Sequence, residues 1–424
     1  MKLITFIVMI GLILPLAVFS QAQDRLSEIL SKKQYAIKIE NGQLSGPASD
    51  FLAREAVNAQ FFLIGEPHGS ADVPLFASAL FMLLQPKGYT HIALETGPIT
   101  ARRMESLAGK SDGFSTFNFQ NPFGLPFYNW KEEAAFLESA YAANGKKGDV
   151  FWGLDQEFMA SSSFHLQRLY ELAPGKTAKS IVKEYLDKAT SEFGRVVAAK
   201  NPGLMFLASA KSEEFDRLSA AFKRPKNEEA FAILSELRES SEIYQKIFTG
   251  RGYESNQQRA KLMKKHFTAY YMAAAQRETR PKVMFKFGAN HIKRGRNFTN
   301  VFDIGNYVSE LADSNDTGSF HLLIMATGGT QNTYVPFGSP ESDKAKKVDP
   351  VKGNSFGDIS PLLKLSEAKG MCIVDLRPLR PLISSGQLVD LPNGFAELAW
   401  GYDAVLLIPN VRASTFFPWE GESH

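Results

Sequence analysis

The chain has 424 residues, of which 44% are hydrophobic and 22% charged, values typical of a globular protein with a large core. Its net charge of +3 is too small to indicate a nucleic-acid partner. The single cysteine, Cys372, excludes an intramolecular disulfide, and its apolar surroundings in "MCIVDL" predict a buried, inert thiol.

At the N-terminus, the positive Lys2 precedes a long apolar stretch that ends in the small-x-small triplet Ser-Gln-Ala. This pattern predicts a secretory signal peptide over residues 1–22, and hence a periplasmic or extracellular protein. An uncleaved anchor is the alternative, since about 18 apolar residues just span a bilayer, but Pro15 favours cleavage. The rest of the chain, 23–424, is predicted to form one domain without a membrane span.

Seven short apolar runs have the length and composition of β-strands, and Gly, Asn or Pro residues punctuate them. Their almost continuous apolar character is typical of strands that are buried on both faces, as in α/β proteins. The runs are "FFLIGE" (61–66), "HIALETG" (91–97), "VFWGLDQE" (150–157), "KVMFKFGANH" (282–291), "SFHLLIMAT" (319–327), "GMCIVDLR" (370–377) and "YDAVLLIPN" (402–410).

Segments with helical periodicity separate these runs. Residues 73–88 and 129–148 each predict a helix, so the first two strands form a βαβ unit. Residues 161–280 are rich in Ala, Leu, Lys and Glu and predict four to six helices. This helical insertion would either form a lid or cleft wall or simply enlarge the core. Residues 328–358 are polar and rich in Gly, Pro and Asn, which predicts a long surface loop.

Acidic, amide and imidazole side chains follow the apolar part of the first four predicted strands. In chain order these are Glu66, His68, Glu95, Asp155, Glu157, Asn290 and His291. Ligands of parallel α/β sheets bind outside the carboxyl ends of the strands. We therefore expect these side chains to share one pocket.

Structural roles are the alternatives for the same residues. Glu66 would then stabilise a turn, His68 would cap the following helix, and Glu95 would pair with Arg102 or Arg103. The acids of the third run would be ordinary residues of a surface turn.

Several kinds of catalytic site are unsupported by the sequence. None of the predicted strands leads into a Gly-x-Ser-x-Gly nucleophile elbow or a phosphate-binding glycine loop, and the chain contains no His-Glu-x-x-His. What remains is acid–base chemistry on water by histidine and glutamate, or coordination of a metal by the same groups.

Five motifs in chain order resemble those of the erythromycin esterase-like proteins, a group related to ChaN-like haem-binding proteins and TIKI/TraB metalloprotease-like proteins. They are "LIGEPHG", "ALETGP", "FWGLDQE", "FGANHIKRG" and "YDAVLLIPN". The resemblance spans about residues 60–410, although the helical middle is similar only in character. It implies an α/β fold with a central mixed, mostly parallel sheet, flanking helices, a helical insertion and a cleft at the strand ends.

The resemblance also implies roles for individual residues. His68 would be the base that activates water without a metal, and Glu66 would be the acid that precedes it. Glu95 and His291 match the second-strand acid and the late histidine, and Arg259 resembles an arginine on the helix before the late strand. The candidate substrate-binding residues are Arg102, Arg103, Asp155, Arg259 and Arg294.

Two features depart from the esterase pattern. Only Pro67 separates Glu66 from His68, whereas the esterases usually have two residues there, and this spacing is closer to that of the ChaN-like proteins. Arg294, three positions after His291, stands where the esterases have a second late histidine. Macrolide hydrolysis in particular is therefore not implied.

Three hypotheses follow. The first is an exported hydrolase that attacks a small-molecule ester with water activated by His68 and requires no cofactor. The second is a hydrolase in which Glu66, His68, Glu95 and His291 hold a divalent metal. The third is a protein that binds haem or another ligand without turning it over.

Overall fold

The computed structural model describes residues 25–199, 201–224, 226–333, 345–352 and 355–418. The predicted signal peptide therefore lies outside the described residues. None of the helices in those ranges is long and apolar enough to cross a bilayer.

The described residues contain both the strands of a large central sheet and two short ribbons. The strands are β1 (Gln34–Ala36), β2 (Lys38–Glu40), β3 (Gln43–Ser45), β4 (Ala59–Glu66), β5 (Tyr89–Leu94), β6 (Phe151–Gly153), β7 (Lys282–Gly288), β8 (Gly318–Ala326), β9 (Thr330–Gln331), β10 (Lys346–Lys347), β11 (Cys372–Asp375) and β12 (Ala404–Ile408). All seven apolar runs contain a strand of the central sheet.

Helices cover both faces of the sheet and fill the middle of the chain. They are α1 (25–32), α2 (Pro47–Asn58), α3 (Asp72–Leu84), α4 (Pro98–Ala108), α5 (Gly113–Gln120), α6 (Lys131–Ala143), α7 (Ser162–Leu172), α8 (Gly175–Ala199), α9 (Phe206–Ser209), α10 (Ser212–Ala220), α11 (Glu228–Phe248), α12 (Gly252–Ala275), α13 (Ile304–Ser314), α14 (Ser360–Lys369), α15 (Leu379–Ser384) and α16 (Phe395–Gly401).

The central sheet has eight strands in the order β1-β11-β12-β8-β4-β7-β5-β6. The six strands from β12 to β6 are parallel, whereas β11 is antiparallel to both of its neighbours, β1 and β12. The predicted α/β fold with a mixed, mostly parallel sheet is confirmed.

Alternate side chains of β4 enter two different apolar cores, because the strand is buried along its whole length. Phe62 and Ile64 belong to the core that includes side chains of α3, on one face of the sheet. Phe61 and Leu63 belong to the core on the other face, where the ring of Phe267 from α12 packs edge-on against Phe61 at 5.6 Å. Burial on both faces explains the continuous apolar run in the sequence.

The position of β7 decides which strand ends become neighbours. The predicted βαβ unit β4-α3-β5 is present, but β4 and β5 do not pair with each other. Instead β7, which follows them by more than 180 residues of sequence, lies between them and pairs in parallel with both. The last residues of β4 and β7, Glu66 and Gly288, are register partners.

Six helices, α7 to α12, occupy the region that was predicted to be a helical insertion. They enclose an apolar cluster of their own, with Phe206, Phe215 and Leu237 fully or almost fully buried. The last of them, α12, also packs on the central sheet through Met263 and Phe267. This helix therefore connects the insertion to the sheet.

The predicted surface loop after β8 contains a short antiparallel ribbon. Lys346 and Lys347 of β10 pair with Gln331 and Thr330 of β9. The intervening residues 334–344 lie outside the described part of the chain. The ribbon therefore brings β10 back beside β9, close to the carboxyl end of β8.

Candidate active site

Four adjacent parallel strands end at the same edge of the sheet and present polar groups there. Glu66 is the last residue of β4, Glu95 directly follows β5, and Asp155 follows β6 by two positions. His291 lies in a 3-10 turn that continues from β7. The structure brings six of the candidate residues together here, which we call the edge cluster: Glu66, His68, Glu95, Asp155, Arg259 and His291.

His68 is the most solvent-accessible imidazole of the edge cluster, with 26% of its side chain exposed. Its Nδ1 donates a hydrogen bond to Glu66 Oε1 at 3.2 Å, and one face of its ring stacks on Phe127 at 3.9 Å. With the proton on Nδ1, the other nitrogen, Nε2, is the basic one. Nε2 lies 3.6 Å from Glu95 Oε2.

Gly288 leaves open the space beside this basic nitrogen. A Cβ at that position would come within 3.1 Å of His68 Nε2 and 3.2 Å of Glu95 Oε2. Any larger side chain would therefore press on both groups. The absence of a side chain at Gly288 keeps room for a small molecule such as water between the imidazole and the carboxylate.

Glu95 is the central carboxylate of the edge cluster. Its Oε2 accepts a hydrogen bond from the Gly288 amide at 2.6 Å, and its Oε1 lies 3.0 Å from an Arg259 nitrogen and 3.3 Å from His291 Nε2. Burial alone would raise the pKa of Glu95, but the neighbouring charges of His291, His68 and Arg259 hold it well below its ordinary value. Glu95 is therefore ionised at neutral pH.

His291 lies between two carboxylates. Its Nδ1 donates to Asp303 Oδ2 at 2.8 Å, and its Nε2 faces Glu95. Burial and the nearby Arg259 oppose a charge on the ring, yet Asp303 and Glu95 raise the pKa of His291 to about 10. His291 is therefore an imidazolium at neutral pH, so it supplies positive charge to the edge cluster.

Asp303 was not among the residues predicted from sequence. It is the N-cap of α13, and its Oδ1 accepts a hydrogen bond from the amide of Ile304 at 2.8 Å. An aspartate before a helix is a common capping pattern, so its sequence context gives no sign of a second role. The second role belongs to the other carboxylate oxygen, Oδ2, which accepts the hydrogen bond from His291.

Lys286 and Glu133 form a buried charged group behind His68, and sequence analysis did not identify either residue. Lys286 Nζ donates to Glu66 Oε1 at 2.7 Å and to Glu133 Oε1 at 2.9 Å. All three side chains are 3% exposed or less. The available signal was a lysine flanked by apolar residues inside the strand "KVMFKFG", since a buried lysine requires an acidic partner.

The charges of this buried group control the ionisation of its members. Burial favours the neutral acid, but Lys286 and His68 lower the pKa of Glu66 below its ordinary value. Burial and the charge of Glu66 raise the pKa of Glu133 to about 7, against the effect of Lys286. For His68, burial opposes protonation, yet Glu66 and Glu95 raise its pKa above 6.5.

Arg259 reaches the edge cluster from the helical insertion. Its Nε donates to Asp155 Oδ1 at 2.8 Å, a second nitrogen binds Asp155 Oδ2, and this nitrogen also contacts Glu95. The two-point contact fixes the plane of the guanidinium. Asp155 therefore acts on the site through Arg259.

Three of the predicted substrate-binding arginines lie elsewhere. Arg102 and Arg103 line a separate pocket formed by α4, α7 and α11, because α4 carries them away from the strand ends. Arg294 binds Asp403 at 2.7 Å and the carbonyl of Ser319 at 2.9 Å, which stand at the amino ends of β12 and β8. That is the opposite edge of the parallel sheet.

Glu157, the second acid after β6, also has a structural environment. Its carboxylate accepts hydrogen bonds from the Ile99 amide at 2.7 Å and from the Thr100 hydroxyl at 2.6 Å, at the start of α4. His165 Nε2 lies 2.9 Å from the same carboxylate. Negative charge at a helix N-terminus is favourable, so Glu157 anchors α4 to the insertion.

The arrangement of donors in the edge cluster differs from a metal centre. Among the described residues, no three His, Cys, Asp or Glu side chains form a group that could hold a metal ion. Lys286 donates a hydrogen bond to Glu66, and Arg259 donates hydrogen bonds to Glu95 and Asp155. These carboxylates therefore contact cationic side chains where a metal ion would have to bind. The predicted ligand set, Glu66, His68, Glu95 and His291, therefore does not fit a metal in this conformation.

Comparisons with known proteins identify the fold. No family model and no curated protein matches the sequence. A solved structure of a histidine-to-asparagine mutant of erythromycin esterase EreC, in its open conformation, is 15% identical with a TM-score of 0.59, covering 91% of this chain and 99% of that one.

Two further solved structures are similar to about the same extent, each at 15% identity. A protein described as a succinoglycan biosynthesis protein has a TM-score of 0.58, with 93% of this chain and 98% of that chain covered. A Bacillus cereus protein has a TM-score of 0.57, with 93% and 99% covered. The resemblance to the erythromycin esterase-like proteins is thus confirmed for the fold, over nearly the whole length of each structure.

We predict that Lys286→Met destabilises the protein by about 3–5 kcal/mol, because it leaves two buried carboxylates without a cation. Without Lys286, the folded-state pKa values of Glu66 and Glu133 rise above their unfolded values, so protonation relieves the repulsion at low pH. The loss in the free energy of unfolding, measured with urea, should therefore be larger at pH 8 than at pH 5.

Lys282→Met is the matched control, since Lys282 lies on the same strand, and its ammonium contacts the carbonyls of Ala56 and Val57 and the Tyr89 ring rather than a carboxylate. Adding Glu133→Gln to Lys286→Met removes one charge of each sign and should recover part of the lost stability. Equal losses at both pH values in the single variant would contradict the proposed electrostatic cause.

Proposed function

We propose that the protein is an exported hydrolase that cleaves an ester-type bond with water activated by His68. The observation that carries this proposal is the environment of His68. A buried carboxylate holds its Nδ1, while its Nε2 faces open space bordered by Gly288 and Glu95. An imidazole with one nitrogen fixed and the other free has the geometry of a general base.

The proposed reaction uses the edge cluster in two ways. His68 Nε2 takes a proton from water as the water oxygen attacks the ester carbonyl carbon. The imidazolium of His291 and the guanidinium of Arg259 supply positive charge for the oxyanion that forms. As the tetrahedral intermediate collapses, the C–O bond to the alcohol breaks, and His68 returns its proton to the leaving oxygen.

The supporting groups keep this machinery in one orientation. Lys286 and His68 bind the same oxygen of Glu66, so the lysine fixes the acceptor that positions the imidazole. Asp303 and Asp155 hold His291 and Arg259 in the same manner. The fold shared with erythromycin esterase EreC is compatible with hydrolysis but supplies the fold alone.

His68→Asn should lower kcat by about 10²–10⁴, the usual contribution of a general base. The measurement is turnover of a panel of p-nitrophenyl esters, amides and peptides by purified protein, with and without a chelator. His91→Asn is the matched control, because His91 lies at the amino end of β5, away from the cluster, and bonds to Asp149 and Glu278. Full activity of the His68 variant would reject the proposal, and loss of wild-type activity with chelator would favour the metal-dependent alternative.

The pH profile of kcat/KM should be bell-shaped. The base must be neutral, so activity should rise with pH through an apparent pKa above 6.5, since Glu66 and Glu95 raise that of His68. Activity should fall again near pH 10, as His291 loses its proton. Asp303→Asn should move the alkaline limb to lower pH and leave the acidic limb in place, and a shift of the acidic limb instead would contradict these assignments.

Export is proposed on the sequence pattern of residues 1–22. Intact-mass analysis of protein recovered outside the cytoplasm should find a mature chain that begins at Gln23. Ala22→Arg should accumulate the precursor, because signal cleavage requires a small residue at that position. Recovery of an exported chain that still begins at Met1 would indicate the uncleaved anchor.

A further inference from the structure

A cleft of about 490 Å³ opens beside the edge cluster, on the side of β8. It borders Pro67 and Asn290, the residues that directly precede His68 and His291. A volume of this order is typical of sites for small organic ligands. The cleft is therefore in position to hold the part of a substrate that does not react.

The floor of the cleft is apolar. Ile324 and Met325, at the carboxyl end of β8, line it together with Phe298 and Phe356. The two phenylalanine rings pack edge to face with centroids 5.1 Å apart, and Phe298 is still 39% exposed. A large aromatic side chain with that exposure inside a concavity indicates an apolar ligand.

The rim of the cleft carries positive charge. Lys346, Lys347 and Lys352 line it and are exposed, and none of them forms an ion pair within the described part of the chain. The exposed acid at this rim is Asp349, whose carboxylate accepts hydrogen bonds from the Val351 and Lys352 amides at 3.0 Å. The rim thus carries three exposed ammonium groups and a single exposed carboxylate.

The ribbon that carries Lys346 and Lys347, five residues before Lys352, is attached to the sheet. The amide of Val348 donates to the carbonyl of Gly329 at 2.9 Å, and β10 pairs with β9 directly after β8. The positive rim is therefore held over the cleft by backbone hydrogen bonds. It lines the same cleft as Pro67 and Asn290, which directly precede His68 and His291 in the sequence.

The other end of the cleft has the opposite electrostatic character. The carboxylate of Glu66 is buried and paired with Lys286. The edge cluster together with Lys286, Glu133 and Asp303 contains more acids than cations. An anionic group placed next to His68 would face Glu66 and Glu95. The cations of the edge cluster are already paired with acids, whereas those of the lysine rim are exposed, so a permanently charged anionic substituent is favoured at the rim.

We infer that the cleft selects an amphiphilic anion, an ester whose scissile carbonyl lies at His68, whose apolar body covers Phe298 and whose carboxylate, sulfate or phosphate reaches Lys346, Lys347 and Lys352. This inference rests on the proposed function for the position of the ester. It concerns binding and can be measured without turnover.

The test uses three fluorescent probes with the same dansyl-aminohexyl body, ending in a carboxylate, a carboxamide or a trimethylammonium group. The wild-type protein should bind the carboxylate about tenfold more tightly than the trimethylammonium probe at low ionic strength. The preference should shrink as salt is added, because exposed charges are screened. Phe298→Ala should weaken binding of all three probes to a similar extent.

A triple variant, Lys346→Gln with Lys347→Gln and Lys352→Gln, should abolish the preference while leaving binding of the carboxamide unchanged. The control triple replaces Lys110, Lys176 and Lys265 by Gln; it changes the net charge equally at exposed positions away from the cleft. Equal binding of all probes by the wild type, absence of binding, or the same loss in both triple variants would overturn the inference.

These outcomes are independent of the proposed hydrolysis. If probe preference persists but no ester in the panel is hydrolysed, the cleft remains an anion-selective binding site and the hydrolase proposal fails. If simple neutral esters are hydrolysed in a His68-dependent manner while the probes show no preference, the hydrolase proposal stands and the substrate class is wrong.

Discussion

Parallel pairing of β7 with both β4 and β5 is the constraint from which the candidate site follows. Because the three strands run in the same direction and end at the same level, the side chains at their ends share one small volume. The amide of Gly288 binds Glu95, and the ammonium of Lys286 binds Glu66. A different neighbour between β4 and β5 would leave both carboxylates buried without these partners.

Charge balance explains why the cluster holds together in a low-dielectric interior. Each buried acid has a cation or imidazole within hydrogen-bond distance, so removing Lys286 or Arg259 leaves a buried acid, Glu133 or Asp155, without its counter-charge. His68 differs from His291, the other imidazole of the cluster, because Glu66 binds only one of its nitrogens and its side chain is 26% exposed, against 12% for His291. It is therefore the member best placed to exchange a proton with a bound molecule.

The sequence predicts the individual buried strands well, because their burial is visible in short apolar runs. It predicts the site less well, because the site depends on pairing between strands far apart in the chain. Strands buried on both faces appear as continuous apolar runs, whereas β1 has three residues and no such run. Strand order is not encoded locally, so the place of β7 could not be predicted. Lys286 lies within a strand and Asp303 caps a helix, so neither sequence context indicated a role in the site. Arg294 was assigned to the wrong edge of the sheet because the turn after β7 redirects the chain.

Glu66 and Lys286 are 220 positions apart in the chain, and the whole helical insertion lies between them. Closing so long a loop is entropically costly and makes late, slow assembly of this contact the expectation. A fragment that ends before β7 would contain Glu66, Glu95 and His68. It would lack β7, the strand that lies between β4 and β5 at the site. The folding of the helical insertion thus becomes a prerequisite for chemistry at residues synthesised long before it.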